Sequence, residues 1–166
     1  MTAVIPETKR KIIRLQKYDY SQPGYYFVTI CVQDRICCFG EIIKGEMVKN
    51  NFGNIVEQQW LWLKENFPYV DLDEFIVMPN HFHGILIIKP KRNGLDRSLL
   101  PLFNLIGAFK TTSSKLIHQT GLTDFSWQKS FYDHVIRQDE SLDKIREYIR
   151  NNPKQWELDE ENPKNV

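Results

Sequence analysis

Four residues of this sequence have the types and spacing to do chemistry together. Two are the histidines of MPNHFHGILII, and two are the tyrosine and final asparagine of REYIRNN. The first stretch reads as a buried strand, so His81 and His83 project from one face and Phe82 from the other. Their Cα atoms then lie roughly 6.6 Å apart, and two imidazoles so placed can converge on one metal ion through bonds of about 2.1 Å. Two neutral nitrogen ligands leave a metal electrophilic with open positions, which suits Lewis-acid chemistry on a phosphate. The competing interpretation is a pair of surface histidines on a half-exposed strand, and on HxH spacing alone that is the commoner case. Gly84 shifts the balance a little, because glycine inside a strand often marks close approach of another backbone or a ligand.

In DESLDKIREYIRNNP, Leu142, Ile145 and Ile149 fall at helical spacing as a core stripe, with Tyr148 at its edge. Asn152 follows Tyr148 by four positions, about 40° around the helix, so the two share a face. Taken alone, they read as an amphipathic edge residue and a helix terminator before Pro153. The sharper reading makes Tyr148 a nucleophile toward a phosphodiester. A phenol with a pKa of about 10 is only about one part in a thousand ionised at neutral pH, so charge stabilisation at the phosphate would have to help it. Asn152 could add an oxygen ligand to the two imidazoles.

The elements that must position these groups follow from the rest of the pattern. GYYFVTICVQDR is rich in aromatic and β-branched residues and predicts a strand. Gly40 and Gly45 between short apolar pieces suggest a hairpin. Ile55, Val56, Trp60, Leu63 and Phe67 predict a helix over 52–67, stopped by Pro68. VDLDEFIVM and HFHGILII, linked by Pro79-Asn80, form an antiparallel hairpin. A second helix is expected over 99–118, with Leu102, Ile106, Phe109 and Leu116 on one face and Gly121 as C-cap. SFYDHVI gives a short strand before the third helix, whose positive end suits Asp139 and Glu140. The order predicts an α+β fold with a ferredoxin-like βαββαβ core, an antiparallel sheet with helices on one face, plus the tyrosine-bearing helix.

The length of 166 residues suits one domain. Expected boundaries are a basic N-terminal arm at 1–23, a single domain at 24–156 and a polar tail at 157–166. Lys plus Arg number 22 against 21 Asp plus Glu, so overall charge is silent on nucleic acid. No apolar run of about 20 residues predicts a membrane span, and MTAVIPETKRK lacks the apolar core of a secretion signal, so a cytoplasmic location is expected. Cys31, Cys37 and Cys38 read as reduced thiols rather than a disulfide frame.

MPNHFHGI followed by REYIRNNP resembles the single-tyrosine HUH transposases. The order of YDYSQPGYYFVTICVQDR, VDLDEFIVMPNHFHGILII and SFYDHVIRQDESLDKIREYIRNNPKQW is similar to that of their REP-associated tyrosine transposase branch, over residues 17–156. The resemblance implies a divalent ion, Mg2+ or Mn2+, at His81, His83 and Asn152. It also implies a nucleophilic Tyr148 that becomes joined to a 5′ phosphate of single-stranded DNA folded into hairpins from palindromic repeats. Arg150 stands where the family often has an aromatic. Tyr132 is the rival nucleophile, placed in a strand. Asp133, His134 and Arg137 recur in the family pattern without an evident role, His134 being better read as a structural residue. A monomer is favoured, with a homodimer as alternative.

For such a substrate the candidate phosphate contacts are Lys9, Arg10, Lys11, Arg14 and Lys17 on the arm, Lys89, Lys91 and Arg92 after the histidine strand, and Lys110 and Lys115 on the second helix. The principal alternative is a non-catalytic single-strand nucleic-acid binder presenting Tyr25, Tyr26 and Phe27 on an open sheet. A zinc hydrolase is the third reading, weakened by the lack of HExxH.

Overall fold

The computed structural model describes residues 15, 17–90, 99–137 and 139–166. Among them the chain runs β1 (Gly24–Cys31), β2 (Gly40–Ile43), β3 (Glu46–Lys49), α1 (Asn51–Asn66), β4 (Val70–Val77), β5 (His81–Ile88), α2 (Leu102–Gln119), β6 (Tyr132–Ile136) and α3 (Asp139–Asn151). A 3-10 helix over Asn152–Leu158 continues from α3. The main sheet is antiparallel in the order β4-β5-β1-β6, and β2 with β3 forms a separate hairpin.

Local chemistry accounts for the boundaries. The β2–β3 turn places Lys44 and Gly45 at φ 52° and 76°, the left-handed pair that a tight hairpin needs. Asn50 caps α1 by accepting from the Gly53 N–H at 3.0 Å. The second helix begins three residues later than its apolar pattern predicts: Pro101 is its extended N-cap at ψ 159°, and a proline disfavours helical geometry in the residue before it. Gly121, at φ +119°, follows the helix as expected. The buried stripe of α2 runs through Leu105, Ile106, Phe109, Ser113 and Ile117, so Ile117 takes the deep place assigned to Leu116, which is half-buried.

Both faces of the sheet are covered. On one, Trp60 of α1 lies 4.6 Å from the Phe82 ring, and Phe109 of α2 lies 5.4 Å from it. On the other, α3 lays Leu142, Ile145 and Ile149 against Phe27, Ile85 and Ile136. The glycine at 84 serves the first face, not a ligand. A Cβ there would stand 2.7 Å from both Trp60 Cζ2 and Phe82 Cε1, so its absence admits the indole.

An irregularity between Leu72 and Phe75 interrupts the pairing of β4 with β5. Asp73, within it, receives Arg146 of α3 through Nε at 2.8 Å and Nη2 at 2.6 Å. Arg150 lies 3.3 Å from Glu74. Two carboxylates of the outer strand thus hold the helix onto its own sheet. The guanidinium hydrogen bonds hold the Asp73 carboxyl below the usual carboxylate range.

Candidate active site

The histidines leave β5 on the α3 face. Register sets His83 opposite Thr29 and His81 opposite Cys31 on β1. Both are buried, at 1% and 0% exposure, and are not surface residues of a half-exposed strand, because the α3 face is itself roofed. Tyr148 presents its ring to His83 at 5.4 Å, nearly edge-on, and Trp156 lies 6.0 Å from His81. Asn152, midway between these two in sequence, begins the 3-10 helix and is 2% exposed.

The ring nitrogens are sorted by function. The outer nitrogens are tethered: His83 Nδ1 to Thr29 Oγ1 at 2.8 Å, and His81 Nδ1 to Asn80 Oδ1 at 2.9 Å. The inner nitrogens, both Nε2, face each other at 3.1 Å. Asp159 Oδ2 stands 3.8 Å from His81 Nε2, too far for a hydrogen bond.

These residues fit a divalent ion. Two nitrogens bound to one ion at about 2.1 Å and a right angle stand about 3.0 Å apart, close to the observed separation. Asn152 Oδ1 is buried with no hydrogen-bond partner among the described residues, and such an atom is costly unless something binds it. No cluster of three His, Cys, Asp or Glu side chains suited to a metal occurs among the described residues. The donors that fit such an ion are the two imidazoles, with the amide oxygen of Asn152 as a candidate third and the Asp159 carboxylate 3.8 Å from His81 Nε2.

The other sequence candidates separate clearly. Tyr132, on β6, pairs with Thr29 of β1, two strands from the histidine strand, and its ring meets Phe27 at 6.2 Å. Lys110 directs its ammonium to the carbonyls of Gln128, Lys129 and Ser130 at 2.7, 3.4 and 3.4 Å, and burial lowers its pKa. Its charge thus holds a loop at the lining of an open depression. Lys115 is exposed and lines an open depression of about 660 Å³ with His118, Trp127 and Lys129. Lys17 and Lys89 are exposed, Lys89 lying 3.9 Å from Asp71. Lys9, Arg10, Lys11, Arg14, Lys91 and Arg92 lie outside the described residues. Burial lowers the pKa of His134, and Arg137 sits 5.9 Å over the Tyr18 ring.

Sequence reasoning missed Thr29, Asn80 and the Asp73–Arg146 pair. Only strand register could have found Thr29. Asn80 looked like a turn residue, which it also is. Residues 157–166 are polar, yet Glu161 and Asn162 are buried, and the Glu161 carbonyl accepts from Asn80 Nδ2 at 2.7 Å.

The family described as Transposase IS200 like matches residues 24–152. An uncharacterized protein of Haemophilus influenzae (strain Rd) is 37% identical over 165 residues, covering 91% of this chain and 92% of its own length. The solved structure of a REP-associated tyrosine transposase bound to a REP hairpin is similar with a TM-score of 0.56 at 18% identity, over 91% of this chain and 74% of that one. At that identity the likeness is one of fold. No helix among the described residues is long and apolar enough to cross a membrane.

Proposed function

Since the chain belongs to the family of IS200-like transposases, we propose that it is a divalent-metal-dependent endonuclease and strand transferase for single-stranded, hairpin-forming repeat DNA. The observation that carries this reading is the convergence of His81 Nε2 and His83 Nε2 at 3.1 Å, with the Tyr148 ring 5.4 Å from that of His83. The connection order β-α-β-β-α-β with sheet order β4-β5-β1-β6 agrees with a ferredoxin-like core.

In this reading His81, His83 and Asn152 hold a Mg2+ or Mn2+ ion. When bound, such an ion supplies Lewis-acid polarisation of the scissile phosphate and stabilises the charge that builds on it. Tyr148 supplies the nucleophile. Its oxygen gives up a proton and forms a bond to phosphorus, while the bond from phosphorus to the 3′ oxygen breaks. The departing oxygen takes up a proton and becomes a free 3′ hydroxyl, and the 5′ phosphate stays on the tyrosine. One phosphoester replaces another, so the step reverses and rejoins strands without an external energy source. α3 holds Tyr148 against the sheet of its own chain, as a monomeric enzyme requires. Lys17, Lys89 and Lys115 supply exposed charge for the DNA backbone.

A non-catalytic binder would present aromatics on an open sheet. Instead Tyr26 is 0% exposed against Tyr18 and Tyr20 and Phe27 is 4% exposed under α3, leaving only Tyr25 of the three exposed. The experiment is cleavage of a single-stranded hairpin oligonucleotide, labelled on either side of the cut, with Mn2+ or Mg2+. The expected product is a covalent species carrying the label 3′ of the cut. A label 5′ of the cut on the protein, or no covalent species under cleaving conditions, refutes the mechanism.

A further inference from the structure

Both amide hydrogens and the oxygen of the Asn80 side chain are engaged. Its Nδ2 donates to the Arg35 carbonyl at 3.0 Å and to the Glu161 carbonyl at 2.7 Å. Its Oδ1 meets His81 Nδ1 at 2.9 Å. The orientation of the amide is not arbitrary, since turning it over would set oxygen against two carbonyl oxygens. Oδ1 can only accept, so His81 Nδ1 must donate and carries a hydrogen. In a neutral imidazole the other nitrogen then holds the lone pair. That nitrogen is Nε2, the one facing His83.

We propose that Asn80 is a positioning residue that locks His81 in its Nδ1–H tautomer and so keeps the Nε2 lone pair directed at the metal site. The metal part of this inference rests on the proposed function; the tautomer does not. The lock is built from separate parts of the chain. Arg35 belongs to the connection between β1 and β2, and Glu161 lies 81 positions beyond Asn80. Asp159 helps shape the second anchor: its Oδ1 accepts from the Glu161 N–H at 2.8 Å. Asn162 Nδ2 donates to the Trp156 carbonyl at 3.0 Å, fixing the same segment. His83 has a different tether. The Thr29 hydroxyl can donate or accept, so His83 can present a hydrogen to His81 in the metal-free protein and a lone pair to an ion. The two imidazoles are therefore unequal: one preset, one adaptable.

Nitrogen-15 NMR of the full chain tests this directly. Long-range proton–nitrogen correlations above the histidine titration range distinguish Nδ1–H from Nε2–H in the metal-free wild type. The expected result is Nδ1–H for His81. In Asn80→Ala the Nδ1–H signature should be lost, and calorimetric titration with Mn2+ should show 10- to 100-fold weaker binding, the usual effect of losing an outer partner of a ligating histidine. Finding Nε2–H at His81 in the wild type overturns the proposal even if the Asn80→Ala chain does not fold. So does an Asn80→Ala chain with unchanged tautomer and wild-type Mn2+ affinity. A wild type with Nδ1–H at His81 that binds no Mn2+ overturns the metal reading and leaves the tautomer lock standing.

Discussion

The link between α3 and β4 can be measured as a coupling energy. Replacing Arg146 with Met keeps most of the apolar stem and removes the guanidinium, and replacing Asp73 with Asn keeps the shape and removes the charge. The two hydrogen bonds removed, at 2.8 and 2.6 Å, are charge-assisted, and in a dry site each would contribute about 1.5–3 kcal/mol. The side chains of Arg146 and Asp73 are 29% and 14% exposed, so screening brings the pair toward surface values of about 0.2–1 kcal/mol. A coupling of about 1–2 kcal/mol lies between these limits. For a domain of this size it corresponds to about 2–8 °C in Tm. The pH dependence has a definite sign. Arg146 lowers the Asp73 pKa in the folded chain, so the stabilisation is fully present above the unfolded value of about 3.9 and is lost as pH falls through the folded value. The assay is urea unfolding of the wild type, both single variants and the double variant, at neutral pH and near pH 3. A neutral-pH coupling below about 0.3 kcal/mol, or one that persists undiminished in acid, refutes the account.

Tyr148→Phe should abolish the covalent product and change stability by less than about 1 kcal/mol, because the ring contacts with Phe27 and His83 remain. Hydroxyl-independent cleavage would move the nucleophile, with Tyr132 next to be tested. His81→Ala should cost stability as well as cleavage, about 1–3 kcal/mol, since it leaves the buried oxygen of Asn80 without its donor; an unchanged unfolding midpoint would contradict this. Gly84→Ala should destabilise by about 1–3 kcal/mol by overpacking Trp60 and Phe82, as read from the same denaturation curves.

The parts of this molecule legible in the sequence are those encoded by local period. Alternation in HFHGILII places both histidines on one face without any knowledge of the partner strands. The stripe Leu142, Ile145, Ile149 likewise fixes which side of α3 is buried, and with it the position of Tyr148 at the margin. What escaped reading was set by tertiary register. Nothing near Thr29 in sequence announces that it will stand opposite His83, and nothing near Asp73 announces an arginine 73 positions on. The misreading of Gly84 has the same origin: a missing Cβ signals a close neighbour, but only the packed helices identify it as Trp60. The roof over the histidines, α3 with Trp156, was not legible beside HFHGILII, because it is a separate element held down by carboxylates of β4.

β4 is also a terminal strand of the sheet, and such an edge ordinarily invites a strand from another molecule. Here the edge is spoiled twice. The irregularity at Leu72–Phe75 breaks the straight run of backbone donors and acceptors that a newcomer would need. Asp71, Asp73 and Glu74 then line that stretch with carboxylates already engaged by Lys64, Arg146 and Arg150. A second copy adding alongside would have to displace those cations and desolvate the acids, so the residues that hold the tyrosine helix in place also guard the sheet against edge-to-edge aggregation.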